Sequence, residues 1–154
     1  MVQIRRVAKV VAGGRRLRFT AMVVVGDQQG HVGVGLGKAT AVPDAVRKGV
    51  AVARRSLIQV NLQGSTIPYA IIAKHSASVI LLKPAPQGTG VIAGASARAV
   101  LELAGVTDVV SKSQGSSNPI NVVYATFQAL GQLKNPEEER ARRQALMAPT
   151  QPAR

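Results

Sequence analysis

Val32-Gly33-Val34-Gly35-Leu36-Gly37-Lys38 is the stretch that decides how this chain folds. Aliphatic residues alternate with glycine at the period of a β-strand. Val32, Val34 and Leu36 share one face, and Gly33, Gly35 and Gly37 the other. A strand face made only of glycine is flat and leaves room for a helix or another backbone to come close. Upstream, Gly26-Asp27-Gln28-Gln29-Gly30 has the composition of a hairpin loop, with glycines where positive φ is needed. Before it, residues 17–25 alternate as a strand. Phe19, Ala21, Val23 and Val25 lie on one face, and Arg18, Thr20, Met22 and Val24 on the other. Gly13-Gly14 turns this strand back to a first one over residues 2–12. Downstream, Val42-Pro43 places proline in the first turn of a helix, where its missing N–H costs nothing. The pattern predicts a helix to about Ile58, with Val42, Val46, Gly49, Val50, Ala53 and Leu57 inward and Arg47, Lys48, Arg54 and Arg55 opposite. The first unit reads β-β-β-α.

Asn61 to Ser65 is polar and marks a boundary. Beyond it, strands are predicted over 66–74 and 78–84, followed by a loop, Ala85-Pro86-Gln87-Gly88-Thr89-Gly90. A helix over 93–104 stops at Gly105, a strand follows over 106–112, and Ser116-Ser117-Asn118-Pro119 opens a helix that runs to about Leu133. This second unit reads β-β-α-β-α. The fold class is α+β: two two-layer domains, 1–63 and 64–134, and a flexible or marginally helical tail over 135–154. That tail passes from Glu137-Glu138-Glu139 to Arg140, Arg142 and Arg143.

The 154 residues carry 20 Lys and Arg against 7 Asp and Glu, a net charge of +13 that points to a polyanionic partner. A hydrophobic content of 46% is too high for a disordered basic tail. Most of the excess charge lies in the first 55 residues, on Arg5, Arg6, Lys9, Arg15, Arg16, Arg18, Lys38, Arg47, Lys48, Arg54 and Arg55, where the acids are Asp27 and Asp44. The absence of Cys excludes disulfides, thiolate metal sites and Cys nucleophiles. No apolar run approaches the ~18 residues of a membrane span. Arg5, Arg6 and Lys9 interrupt any signal-peptide core. The expectation is a soluble, cytoplasmic protein with no cofactor, no metal, no membrane partner and no small-molecule substrate.

Two glycine motifs invite a nucleotide reading. A P-loop ending at Gly37-Lys38 needs Gly at 32 and Ser or Thr at 39, where this sequence has Val and Ala. Gly88-Thr89-Gly90-Val91-Ile92-Ala93 does fit G-x-G-x-x-A, with Asp108 about twenty residues on. The remaining chain lacks the strands of a dinucleotide fold, and no acids or histidines gather by the motif, so a small dinucleotide enzyme stays only as an alternative. His31 and His75 have no spaced partners for a metal or a triad. Aromatic residues are confined to Phe19, Tyr69, Tyr124 and Phe127, too few for a surface that stacks single-stranded bases. Cations on a β-β-β-α unit suit backbone and shape recognition, as in double-stranded-RNA-binding domains. A free-standing double-stranded-RNA binder or RNA chaperone is the second alternative.

Gly13-Gly14-Arg15 with Phe19, Val24-Val25-Gly26-Asp27, Val32-Gly33, Gly37-Lys38-Ala39 and Val42-Pro43 closely resemble the signature of the bacterial ribosomal small-subunit protein five family. The match continues through Arg54-Arg55, residues 88–94, Ala99-Val100-Leu101-Glu102 and Asn118-Pro119-Ile120-Asn121. The resemblance implies a double-stranded-RNA-binding-like first domain and a second domain with a left-handed β-α-β crossover. It implies a structural constituent of the small ribosomal subunit that binds small-subunit ribosomal RNA, supports assembly and contributes to translational accuracy. Implied partners are ribosomal proteins four and eight, and messenger RNA near its entry path. The loop matching residues 6–14 approaches RNA in the family, and positions matching Gly90 and Arg98 lie toward protein four. The RNA-binding set is then Arg5, Arg6, Lys9, Gly13, Gly14, Arg15, Arg16, Arg18, Lys38, Arg47, Lys48, Arg54 and Arg55, and the protein-interface set Gly88, Gly90 and Arg98. Two departures limit the transfer. Ala12 stands where the family often has Lys, and the family's arm before the first strand has no counterpart in this sequence.

Overall fold

A computed structural model describes the backbone of residues 3–11 and 14–147 and the side chains of 18–146. The first unit contains β1 (Gln3–Val11), β2 (Gly14–Gly26), β3 (His31–Ala39), α1 (Val42–Arg55) and β4 (Ile58–Gln59). They form one antiparallel sheet in the order β1-β2-β3-β4. The helix stops three residues short of Ile58. The Ser56 amide closes the last turn on the carbonyls of Val52 and Ala53, and its hydroxyl donates to the Val34 carbonyl at 2.7 Å. The chain is thereby turned back along β3, and residues 58–59 pair with Val32 and His31 as a strand that sequence periodicity does not reveal.

The glycine face of β3 receives α1. A Cβ at Gly33, Gly35 or Gly37 would fall on the carbonyl oxygens of Ala53, Gly49 and Ala45 respectively. The helix backbone itself therefore rests on the strand, and the buried stripe of α1 is Ala45, Gly49 and Ala53. The larger residues of the predicted stripe flank this contact. Val46 and Val50 pack at its side, while Leu57 lies beyond the helix end and is 48% exposed. In the hairpin loop, Gly30 has φ +99, as predicted, and Gln28 joins it at φ +60. Gly26 is required for closeness instead, because a Cβ there would meet the Leu103 backbone.

The other face of this sheet is buried too. Met22, Val24, Val32 and Val34 enter one core with Val100, Leu101, Ala104 and Leu130 of the second unit. Backbone bonds seal the junction: Gln28 N–H donates to Leu103 O at 2.9 Å and Gly30 N–H to Ala104 O at 2.8 Å. The Asn61 amide donates to Leu133 O at 2.9 Å.

The second unit contains β5 (Ile71–His75), β6 (Ser78–Pro84), β7 (Val91–Ile92), α2 (Ala95–Ala104), β8 (Val109–Gly115) and α3 (Pro119–Gln132). Its sheet order is β5-β6-β8-β7, antiparallel except for β7 with β8, which α2 connects. Ala73, Ile80, Leu82 and Val109 face the helices and are buried. Three boundaries move from those predicted, each for a long-range reason. β5 starts at Ile71 because Thr66 bridges Gln63 and its hydroxyl accepts from Ala85 N–H at 3.1 Å. α2 starts at Ala95 because Val91 and Ile92 pair with β8. β8 starts at Val109 because the Thr107 and Asp108 amides both donate to Ser65 O at 3.0 Å. Gly105 ends α2 at φ +97, and Asn118 caps α3 by accepting from Ile120 N–H at 3.1 Å. Within the segment expected to be flexible or marginally helical, α4 spans Pro136–Met147. Asn135 accepts from Glu137 N–H at 3.0 Å, and Glu137, Glu138 and Glu139 complement the positive end of the helix dipole.

Candidate nucleic-acid interface

Gly13 and Ala12 lie outside the described residues, and for Arg5, Arg6, Lys9, Gly14, Arg15 and Arg16 only the backbone is described. The β1–β2 register places Arg5 opposite Thr20, Arg6 opposite Phe19, Lys9 opposite Arg16 and Gly14 opposite Val11. β2 is longer than β3. Phe19 makes its last pair with β3, at Ala39, so Gly14–Arg18 pair with β1 alone. Gly14–Arg18 and their β1 partners thus form a two-stranded extension of the sheet.

The root of that extension is where the described cations converge. Arg18, Lys38, Arg47 and Lys48 are exposed and surround a concavity of about 330 Å³ together with Ala39, Thr40 and Asp44. Pairing of Thr20 with Lys38 brings the end of β3 beside β2. The turn into α1 then lifts Arg47 and Lys48 over the same corner, where the Lys48 ammonium donates to Lys38 O at 3.4 Å. Asp44 is the one carboxylate there, 3.8 Å from Arg47, with both side chains in solvent. Such an exposed pair is worth only a few tenths of a kcal/mol, roughly, and leaves the corner strongly positive. Arg54 and Arg55 are two helical turns further on, about 10 Å along the axis, on the same outward face. Thr40 is a member of this corner that composition and periodicity give no reason to select.

Gly88, Gly90 and Arg98 lie apart from this corner, in the second unit. Asp108 accepts from Gly88 N–H at 3.0 Å and from Gly90 N–H at 2.9 Å through the same oxygen. The expectation that no acid gathers at this motif is therefore wrong. The carboxylate takes up the two loop amides that a phosphate would need, and its negative charge opposes a dinucleotide. The Ser65 hydroxyl, then the Gly90 and Gly88 amides and Thr107, hold Asp108 below the ordinary value of 3.8. Arg98 donates to Val91 O at 3.0 Å and borders a shallow concavity with Gln28, Glu102 and Thr107.

The histidines have structural partners. His31 bonds Asp27 at 2.8 Å across the hairpin loop. Asp27 also accepts from the Gln29 and His31 amides, and the Gln29 bond is the main cause of its lowered pKa. His75 packs on Tyr124 with ring centroids 5.0 Å apart and bonds Gln128 at 3.1 Å. Among the described residues no group of three or more metal-ligating side chains occurs, and no helix is long and apolar enough to cross a membrane.

The chain is an α+β protein of two units, with a cationic corner on the first and, on the second, a glycine loop closed by its own aspartate. Comparison with known proteins makes this specific. Residues 1–61 match the family described as ribosomal protein S5, N-terminal domain, and residues 73–143 match ribosomal protein S5, C-terminal domain. Over 143 residues the chain is 53% identical to the small ribosomal subunit protein uS5 of Chloroflexus aurantiacus, spanning 93% of this chain and 80% of that relative. The chain belongs to the ribosomal protein S5 family. It is accordingly a structural protein of the small subunit of the cytoplasmic ribosome and not an enzyme.

Proposed function

We propose that the first unit, residues 1–63, anchors the chain on small-subunit ribosomal RNA through phosphate contacts. The observation that carries this reading is the convergence of Arg18, Lys38, Arg47 and Lys48 on one concave corner with a single carboxylate. Arg5, Arg6, Lys9, Arg15 and Arg16 extend the contact along the β1–β2 ribbon, with Gly13 and Gly14 allowing close backbone approach at its turn. Arg54 and Arg55 continue it along α1. Arginine forks suit phosphate oxygens, and cations without exposed aromatics favour duplex backbone over stacked single-stranded bases. In this role the chain supports subunit assembly, and its contribution to decoding accuracy and to the messenger entry path follows from holding RNA in place. Residues 64–134 supply protein contacts, with Gly88, Gly90 and Arg98 toward protein four, and protein eight as a second neighbour.

Each duplex phosphate neutralised contributes about 0.9 to the slope of log affinity against log salt, if B-DNA behaviour transfers. Arg47→Glu with Lys48→Glu is expected to lower affinity for a small-subunit ribosomal RNA fragment and to reduce that slope by about 2, with the urea midpoint unchanged. Filter binding across a salt series reads both. An unaltered slope removes the corner from the RNA interface.

A further inference from the structure

The helix-covered face of the second sheet changes character along β8. Ala73, Ile80, Leu82 and Val109 make most of it aliphatic. Ser111 pairs with Leu82 and Ser113 with Ile80, so both serines point the same way as these buried neighbours. β7 pairs with β8 only as far as Val110, and the chain then leaves the sheet through Ala93 and Gly94 to enter α2. The departure leaves a concavity of about 220 Å³, lined by Ser111, Ser113, Ile80, residues 94–97, Ser117 and Val122. We propose that this concavity binds a phosphate group, taken from the RNA backbone of the subunit or as free inorganic phosphate. The site lies on the second unit, apart from the cationic corner, and only the RNA source rests on the chain's place in the subunit.

Two independent features point to an anion. One is an orphaned polar atom. The Ser111 hydroxyl oxygen is closed off from solvent and has no hydrogen-bond partner, the one side-chain atom in that condition among the described residues. Burial of a hydroxyl without a partner is costly, and folded chains keep few such groups. The other feature is the start of α2. Its first bond runs from Arg98 N–H to Gly94 O, so the amides of Ala95, Ser96 and Ala97 have no acceptor within the helix. Gly94 is the N-cap and brings no side chain to answer them, and the space where its Cβ would stand is open. The 10-residue helix points the positive end of its dipole into the same concavity.

The lining selects the ligand. No Asp or Glu borders the concavity, and the positive helix end repels a cation. Asp108, which answers the Gly88 and Gly90 amides, is not among its walls. Amides reach it from α2, and hydroxyls from α2, from β8 and from Ser117 before α3. Donors on several sides suit a tetrahedral oxyanion better than a planar carboxylate. The volume falls below the roughly 300–1,000 Å³ of sites that enclose a whole organic ligand, so a phosphate group enters and a base does not.

The test titrates the full chain with inorganic phosphate at constant ionic strength, balanced with chloride, and follows the amide resonances of Ala95, Ser96 and Ala97. Saturable shifts are expected at these amides. Ser111→Ala removes one hydrogen bond to a charged group and should weaken binding there by about tenfold or more. Without phosphate the same variant should keep or raise its urea midpoint, because an unsatisfied hydroxyl is gone, whereas a merely structural serine would lower it. Gly94→Asp carries its own carboxylate to the helix start and should abolish the shifts. Arg47→Glu with Lys48→Glu should leave them in place, so failure of the corner and failure of this site read separately. Small subunits reconstituted with phosphorothioate-substituted RNA and cleaved with iodine identify the source. A backbone position protected by the unaltered chain and cleaved with Gly94→Asp assigns the site to ribosomal RNA, and unchanged protection beside saturable shifts assigns it to free phosphate. Absence of both the shifts and any altered protection overturns the proposal, as do shifts that persist in full in Gly94→Asp.

Discussion

The two sheets of this molecule solve the same problem in opposite ways. The first is covered on both faces, by α1 on one side and by the second unit on the other. Among the described residues the second is covered on one face only, by α2 and α3. The first sheet can accept a helix at very short distance because β3 offers no side chains on that face, so the contact is backbone against backbone. The second packs aliphatic side chains against α2 and α3 in the ordinary manner. A surface that permits no adjustment is thus opposed to one that can relax around a missing methyl group, and substitutions should behave accordingly.

The largest effect is expected at the rigid contact. Gly35→Val would drive its side chain into the α1 backbone at Gly49 and destabilise by roughly 4 kcal/mol, enough to leave the protein insoluble or to bring its urea midpoint close to zero. Gly94→Ala is the control. Gly94 has φ −67 and open space around it, so its replacement should cost no more than about 1 kcal/mol, the loss of a favourable residue at the N-cap of α2. A tolerated valine at 35 would mean that α1 can be lifted from β3. The second sheet should show its asymmetry between adjacent residues. Leu82→Ala, on the covered face, is expected to cost about 2–5 kcal/mol, and Leu81→Ala, on the open face, less than about 1 kcal/mol in the free protein. Equal losses in denaturant titrations would show that the open face is covered.

The smallest effect concerns the loop at the edge of the second sheet. A carboxylate whose folded pKa is depressed stabilises above its unfolded value, and that contribution is lost as pH falls through the folded one. Asp108 should therefore hold the loop fully at pH 5 and above and release it progressively below about 3.8. Asp108→Asn is expected to speed amide exchange at Gly88 and Gly90 at neutral pH without unfolding the protein. Unchanged exchange at those two amides would show that the loop is held by its own backbone.

This contrast also explains what could be read in the sequence. Alternation with glycine along β3 announced a close neighbour, and the helix that followed carried its cations on one face, so α1 and half of the basic corner were legible from residues near one another in the chain. Of the expected inward stripe Gly49 and Ala53 are buried and Ala45 joins them, while Val42 and Leu57 are not, because helical periodicity favours the bulkiest residues whereas contact with a glycine face selects the smallest. The starts of β5 and β8 depended on Thr66 and Ser65 bonding partners up to about forty residues away, which no local pattern contains. Asp108 looked like the acid of a dinucleotide motif because its spacing was right. Only the fold shows that the carboxylate turns back onto the glycine amides.

Burial of the first sheet on both sides has a consequence for the order of events during synthesis. β3 and α1 are separated by two residues and form early, since contacts that close short loops are the first to be made. The first unit then emerges as a finished sheet whose second face, Met22, Val24, Val32 and Val34, has nothing to cover it until residues near 100 and 130 arrive. For that interval the nascent chain displays a continuous apolar surface of the kind that binds chaperones and promotes aggregation. The second unit is in this sense the first unit's own solubilising partner, and a truncation after residue 63 makes that transient exposure permanent.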